Sequence, residues 1–378
     1  MNRRALAPVL VSAALLLSSC TATTESTVVT GPPTTTESPV LTRPLATSES
    51  TVLTKEEVSL SGRLLGAAVI GVHRVDLQDG QAHEILGQAD FQAGHTAALL
   101  VGQEGGALLH TAHLPLGPEA LSVRGYRLDG AAQSSGPASE YSWPGTELAN
   151  RVRALAVSPD GTRYAAVIAD GPSTYLEVVD SRTDEVVFSG RDRADRTLGL
   201  VGDDLLWSQE HGLVYVADLG ASPAGVAGGV VGVALEELRR DSGEVPMSLL
   251  LGFDDEEWHG GRPAHLALSP EGTRLAYVWV PEGTNSHPDI TAQVWAVDLT
   301  GPAEPRPLTA GSISVVGPAF SPDGQHLAVV EYSSRGSRNV YVVDAQGSLP
   351  TQFRGRLDTD AVVVATDTRV DTLLGWLP

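Results

Sequence analysis

Three stretches of this chain carry one repeated pattern, and it constrains the fold more than any bulk property does. Residues 154–167, 265–278 and 317–330 align without gaps in their centre: an apolar run, Ser-Pro-acid-Gly, two residues, and a second apolar run. The corners are Ser158-Pro159-Asp160-Gly161, Ser269-Pro270-Glu271-Gly272 and Ser321-Pro322-Asp323-Gly324. Proline presets φ at the second position of a turn, and glycine accepts the positive φ at its end. Each unit reads as a hairpin of two apolar strands. A further apolar strand follows each hairpin and ends in Asp, at 175–180, 294–298 and 340–344, with a weaker copy at 213–218.

Spacing turns the hairpins into an architecture. Ser269 and Ser321 are 52 residues apart, and Ser158 lies 111 before Ser269, close to twice that distance. A degenerate unit fits in the gap, from about 198 to 252. Four short strands in each unit of roughly 40–50 residues mark the blade of a β-propeller. Some other all-β sheet stack would not need this period. Residues 94–143 supply one blade before the first clear copy. The chain then ends early, with 361–365 and 372–377 giving two strands. The stretches 64–75 and 83–86 give about two more, so both chain ends together complete one blade and remove an unpaired edge. The expectation is an all-β fold of six four-stranded blades over 55–378; seven is the alternative, because 197–252 is long and irregular.

The hydrophobic-Ser-Pro-Asp-Gly-x-x-hydrophobic unit resembles the WD40-like repeat of TolB-type propellers, also seen in the propeller domains of prolyl-oligopeptidase relatives. The clear copies span about 150–190, 263–310 and 314–356. The resemblance implies a protein that acts through partners and not by catalysis. It departs from TolB in lacking that family's extra N-terminal α/β domain, so the partner does not carry over.

A second signal lies at the start. Arg3 and Arg4 precede a thirteen-residue, largely apolar run from Ala5 to Leu17, and Leu17-Ser18-Ser19-Cys20 follows. A charged start, a short apolar middle and small residues at the end make a secretory signal. The run is too short for a membrane span of about 20 residues. The ending resembles the lipobox of bacterial lipoproteins, which implies cleavage after residue 19 and diacylation of the Cys20 sulfur. Cys20 is the only cysteine, so no disulfide is available to the fold. Residues 20–54 continue as a Thr/Ser/Pro-rich stretch: of 21–54, sixteen residues are Ser or Thr and four are Pro. Such composition cannot bury enough surface to offset its ordering entropy and reads as a disordered tether. The expected location is the extracytoplasmic face of the bacterial membrane, reached through the lipid alone. Loss of Arg3 and Arg4 takes the formal charge from −21 to −23, and such a surface repels nucleic-acid phosphates.

Catalytic signals are sparse. Ser158, Ser269 and Ser321 belong to turns, not to a Gly-x-Ser-x-Gly elbow, and no hydrolase segment follows the repeats. A sialidase box would need a residue between Asp and Gly and a later tryptophan, and neither is present. His110-x-x-His113 has a spacing that puts two strand residues on opposite faces, so both are read as polar edge residues. Asp254, Asp255, Glu256 and Glu257 are weak candidates for Ca²⁺, since oxygen ligands suit that ion, but they lack the alternating spacing of a calcium loop. Trp258, flanked by charges, is the aromatic residue read as a possible ligand contact. Residues 233–240 interrupt the strand pattern as a short helix. The function expected is a non-enzymatic scaffold that binds a protein or peptide of the cell envelope. The alternatives are a lactonase- or lyase-like propeller enzyme, or a small-ligand or sugar sensor, with a metal at the channel mouth.

Overall fold

The computed structural model describes residues 63–68, 71–87, 96–101, 107–113, 122–128, 139–143, 151–170, 173–190, 198–220, 225–238, 245–282, 292–302, 304–309, 314–332, 338–346, 362–368 and 370–377. These form six antiparallel four-stranded sheets. Taken from the inner strand outward, blade 1 is Thr372–Leu377, Arg63–Ala67, Val72–Asp76 and Ala82–Leu86. Blade 2 is Thr96–Val101, Ala107–His113, Ser122–Arg127 and Ser139–Ser142. Blade 3 is Arg151–Val157, Arg163–Asp170, Ser173–Asp180 and Glu185–Ser189. Blade 4 is Leu200–Ser208, Gly212–Asp218, Gly228–Val233 and Ser248–Phe253. Blade 5 is Gly261–Leu268, Arg274–Pro281, Gln293–Asp298 and Arg306–Pro307. Blade 6 is Ser314–Phe320, His326–Tyr332, Arg338–Asp344 and Val362–Thr368. The inner strand of each blade touches the inner strands of both neighbours, from blade 1 through blade 6 and back to blade 1. The ring is therefore closed around a central channel.

Each seam between blades holds its own apolar cluster. Blade 5 shows why the strands read as nearly unbroken apolar runs. Leu275 and Tyr277 pack against Val214 and Val216 of blade 4, while Ala276 and Val278 pack with Leu327 and Val329 of blade 6. A strand alternates its side chains between two faces, and here both faces are buried. Each fully buried Leu or Val contributes about 1.5–3 kcal/mol.

The Ser-Pro-acid-Gly corners are hairpins between the first and second strands of blades 3, 5 and 6. In each, the glycine N–H donates to the serine carbonyl at 2.8 Å, and φ is +70° at Gly161, +71° at Gly272 and +66° at Gly324. The serine hydroxyl closes the corner by accepting from the N–H five residues on, at 2.9 Å for Ser158, 3.1 Å for Ser269 and 2.9 Å for Ser321. Side chains then link neighbouring hairpins around this rim. His211 Nε2 lies 2.8 Å from the Gly272 carbonyl, and the Arg274 guanidinium donates to the Gly324 carbonyl at 2.6 Å.

Three sequence expectations need correction. Ring closure joins one C-terminal strand to three N-terminal ones, not two to two. The run 64–75 hides a tight turn in which Ala68 N–H donates to Gly71 carbonyl at 3.0 Å, with Gly71 at φ +88°, so it makes two strands. The stretch near 362 completes the outer ladder of blade 6 instead. Second, 213–218 is not equivalent to the strands ending in Asp180, Asp298 and Asp344. Those are third strands, whereas Asp218 ends the second strand of blade 4 and lies at the opposite rim. Third, the short helix expected over 233–240 begins later, because Val233 still belongs to the third strand of blade 4 and the helix described is Leu235–Leu238. The stretch 197–252 is one blade, as the six-blade expectation has it, and its extra length lies between the third and fourth strands.

Candidate functional site

The strands lining the channel are irregular at one level. Pairing between the first and second strands shifts register between Val152 and Ala154 in blade 3, and between Leu200 and Leu205 in blade 4. It shifts between Ala264 and Ala267 in blade 5, and between Val316 and Ala319 in blade 6. Blade 1 has the same fault, which leaves Leu374 unmatched, and blade 2 alone pairs without a shift. In blades 3 to 6 the bulge falls about four or five residues before the serine that opens the hairpin. A bulge leaves a residue unpaired and re-aims its side chain.

What the bulges present differs around the ring. Blade 3 offers Arg153, exposed although Val152 and Ala154 on either side are buried against blades 2 and 4. With both faces of its sheet covered, the open direction for Arg153 is the channel. Blade 4 offers Asp204, two residues after Gly202, whose φ is +84°. Asp204 Oδ1 accepts from Leu266 N–H at 3.3 Å, which ties this bulge to that of blade 5. Blade 5 offers His265, half-buried, at φ +52°. Only one other non-glycine among the described residues has positive φ, Asp184 in a surface turn. Such a conformation is strained for histidine, and strain of this kind clusters at binding sites. Blades 6 and 1 present Gly317, Pro318 and Leu374. The throat is thus polar and mixed in charge on one half and small or apolar on the other.

Sequence reasoning passed over this set, although the signal was there. His265 and Gly317 occupy the same column of the aligned repeats, four residues before serine. A histidine standing where a sister repeat needs glycine was the visible mark.

The residues singled out by sequence lie elsewhere. Asp254 caps the helix Asp255–Gly260: its carboxylate accepts from Glu257 N–H at 2.9 Å, and the Glu257 carboxylate accepts from Asp254 N–H at 3.4 Å. Asp255 pairs with His259 at 3.4 Å. All four carboxylates are exposed, and no group of three metal-ligating side chains occurs among the described residues. The acidic run is this helix's N-cap and first turn. It joins blades 4 and 5 at the rim opposite the Ser-Pro corners. Trp258 is half-buried and packs on Phe253, with ring centroids 6.4 Å apart, in contact with the glycine face at Gly228.

His110 and His113 lie in the second strand of blade 2, not at an edge. His110 is 3% exposed, beside the Tyr164 ring at 5.4 Å, and neither imidazole nitrogen has a partner among the described residues. Burial lowers its pKa to about 4. At the corners, the Ser158 hydroxyl and the neighbouring Thr162 groups hold Asp160 down at about 2, and Ser321 lowers Asp323. Cys20 and the stretch 20–54 fall outside the described residues.

Comparison with known proteins bears on the fold. TolB from Acinetobacter baumannii superposes with a TM-score of 0.53 at 15% identity, over 84% of this chain and 67% of that one. The fold is a six-bladed propeller of the TolB type. A TolB-type protein from Agrobacterium tumefaciens matches at TM-score 0.47 and 15% identity, over 82% of this chain and 94% of that one. A prolyl endopeptidase matches at TM-score 0.43 and 14% identity, over 82% of this chain but 44% of that one. No family model matches the sequence, and no curated protein matches it.

Proposed function

We propose that this chain is a lipid-anchored envelope protein whose propeller binds a protein or peptide partner at the channel throat, without catalysis. The observation that carries this reading is the level of bulges that gathers Arg153, Asp204 and His265 on three successive blades. Arginine and histidine offer donors, and aspartate offers an acceptor. The signal-like leader and Cys20 support the location, with the Thr/Ser/Pro stretch as the spacer that lifts the ring from the bilayer.

A photo-crosslinking residue at position 374, on the apolar half of the throat, tests the reading on intact cells. One envelope protein should be captured in quantity, and the yield should fall at least tenfold with Arg153→Glu. Adducts scattered over unrelated proteins, unchanged by that substitution, would defeat it. Separately, Cys20→Ser should move the chain from the membrane fraction to the soluble fraction.

A further inference from the structure

The outer edges of the blades are guarded in all but one case. The outer strands of blades 1, 2 and 3 carry His83 and Glu84, Glu140, and Glu185. Blade 5 ends in Arg306-Pro307, and blade 6 carries Asp367. Charges and proline on an edge strand block pairing with another chain. Blade 4 ends in Ser248-Leu249-Leu250-Leu251-Gly252-Phe253, with no charge and no proline. Its partner strand Gly228–Val233 has none either.

The same edge carries exposed apolar surface. Three large hydrophobic residues stand out as exposed among those described, and two are here: Met247 at 36% and Leu249 at 47%. Beside them lies a cavity of about 440 Å³, lined by Leu219, Val231, Val245, Pro246, Met247 and Leu249. Its inner wall, Val231, belongs to the apolar cluster shared with Leu176 and Phe188 of blade 3, so the cavity opens at the perimeter of that seam.

Charge brackets the edge. Exposed Asp254, Asp255, Glu256 and Glu257 follow it directly, and in sequence the connection that leads into it, 234–247, carries Glu236, Glu237, Asp241 and Glu244 against Arg239 and Arg240. An uncharged strand between acidic ends suits a strand that is apolar in the middle and basic at its ends. A second copy of this chain, at −21, brings like charge to like. The stretch 21–54 carries three Glu and one Arg and does not match.

We propose that the outer edge of blade 4 docks an extended segment of another protein by strand addition, with one apolar side chain in the cavity and Lys or Arg against the acidic ends. In this mode backbone hydrogen bonds give affinity and pockets for alternate side chains give specificity. The site is separate from the throat, so the two readings stand or fall independently.

The probe is a capped peptide, Lys-Lys-Thr-Val-Thr-Val-Thr-Lys-Lys, titrated into the full-length chain in detergent and followed by calorimetry. It should bind, and binding should weaken at least tenfold with Leu249→Lys at an unchanged melting temperature. Replacing the terminal lysines by glutamate, or the central threonine by proline, should cost at least as much. Val186→Lys, on the outer strand of blade 3, should leave binding as it was. Absence of binding at millimolar peptide overturns the proposal, as does equal binding by Leu249→Lys or by the glutamate-ended peptide. Self-association of the chain that Leu249→Lys abolishes would identify a second copy as the occupant and overturn it equally.

Discussion

The inner strands of blades 5 and 6 share one geometry and part at the bulge, where one has His265 and the other Gly317. Both end in a Ser-Pro-acid-Gly corner, both bulge four residues before the serine, and both need positive φ there. Blade 6 meets that need with Gly317 at φ +59°, and a Cβ there would stand 2.6 Å from the Leu373 nitrogen and from Thr372 Oγ1. Blade 5 meets it with His265 at φ +52° and leaves the imidazole half-exposed on a channel-lining strand. At Gly317 the glycine answers to packing and to backbone geometry at once. At His265 the backbone asks for glycine, yet a side chain that adds strain is present. The difference separates a position explained by folding from one that folding does not explain.

Exchanging the two residues is the strongest way to break this comparison. Gly317→His should destabilise the ring by about 3 kcal/mol or more, since strain at positive φ adds to overpacking against blade 1. Denaturant unfolding measures it, and a loss below about 1 kcal/mol would mean that the two bulges are not equivalent.

Acid provides the next largest effect, because it separates the seams. The seam between blades 5 and 6 is an apolar cluster, whereas that between blades 2 and 3 contains His110, which has no hydrogen-bond partner among the described residues. His110 takes its proton near pH 4 in the folded chain and near 6.5 when unfolded. As pH falls the unfolded chain protonates first. The neutral imidazole's full stability therefore holds above about 6.5, declines to about 4 and is level below. A shift of that size corresponds to about 3 kcal/mol. Hydrogen exchange at pH 4.5 should show 107–113 and 163–170 opening before 326–332. His110→Phe should abolish the difference. Asp160 acts in a separate window: its lowered pKa supports the fold above about 4, and that support fades towards 2.

The ring was legible because its rule is periodic. Corners such as Ser158-Pro159-Asp160-Gly161 fix the first hairpin of a blade, and two buried faces make each strand a continuous apolar run. What escaped was local. The turn that ends at Gly71 folds 64–75 into two strands, but an apolar run looks the same with or without a turn inside it. The bulges escaped because an inserted residue changes register against a partner strand, and pairing is not visible in one strand's own sequence. The acidic run at 254–257 was seen as charge, while its capping geometry needed the helix that follows. His110 looked like an edge residue because strand order within blade 2 decides its burial.

His265→Gly sharpens the comparison from the other side. Relief of a left-handed histidine offsets the extra freedom glycine brings to the unfolded chain, so stability should change by less than about 1 kcal/mol, and upward if at all. The same variant should lose partner capture at the throat. Stability held and binding lost together mark a residue kept for contact. A clear fall in melting temperature would instead make His265 a packing residue.

The smallest effect returns to the corners themselves. In blades 3 and 6 the aspartate accepts from the serine hydroxyl, at 2.6 Å for Asp160 and 2.5 Å for Asp323, and from the N–H two residues on. Glu271 holds the same place in blade 5 and makes neither bond among the described residues. Its extra methylene carries the carboxylate past both donors, and serine is left to close the turn alone at a longer 3.1 Å. Glu271→Asp should therefore stabilise the chain by about 0.5 kcal/mol, the low end for one exposed hydrogen bond. The carboxylate so installed should titrate below the usual range, as Asp160 and Asp323 do. If NMR titration finds it at the ordinary value, then blade 5 differs from its sisters in the backbone of the corner and not merely in the length of one side chain.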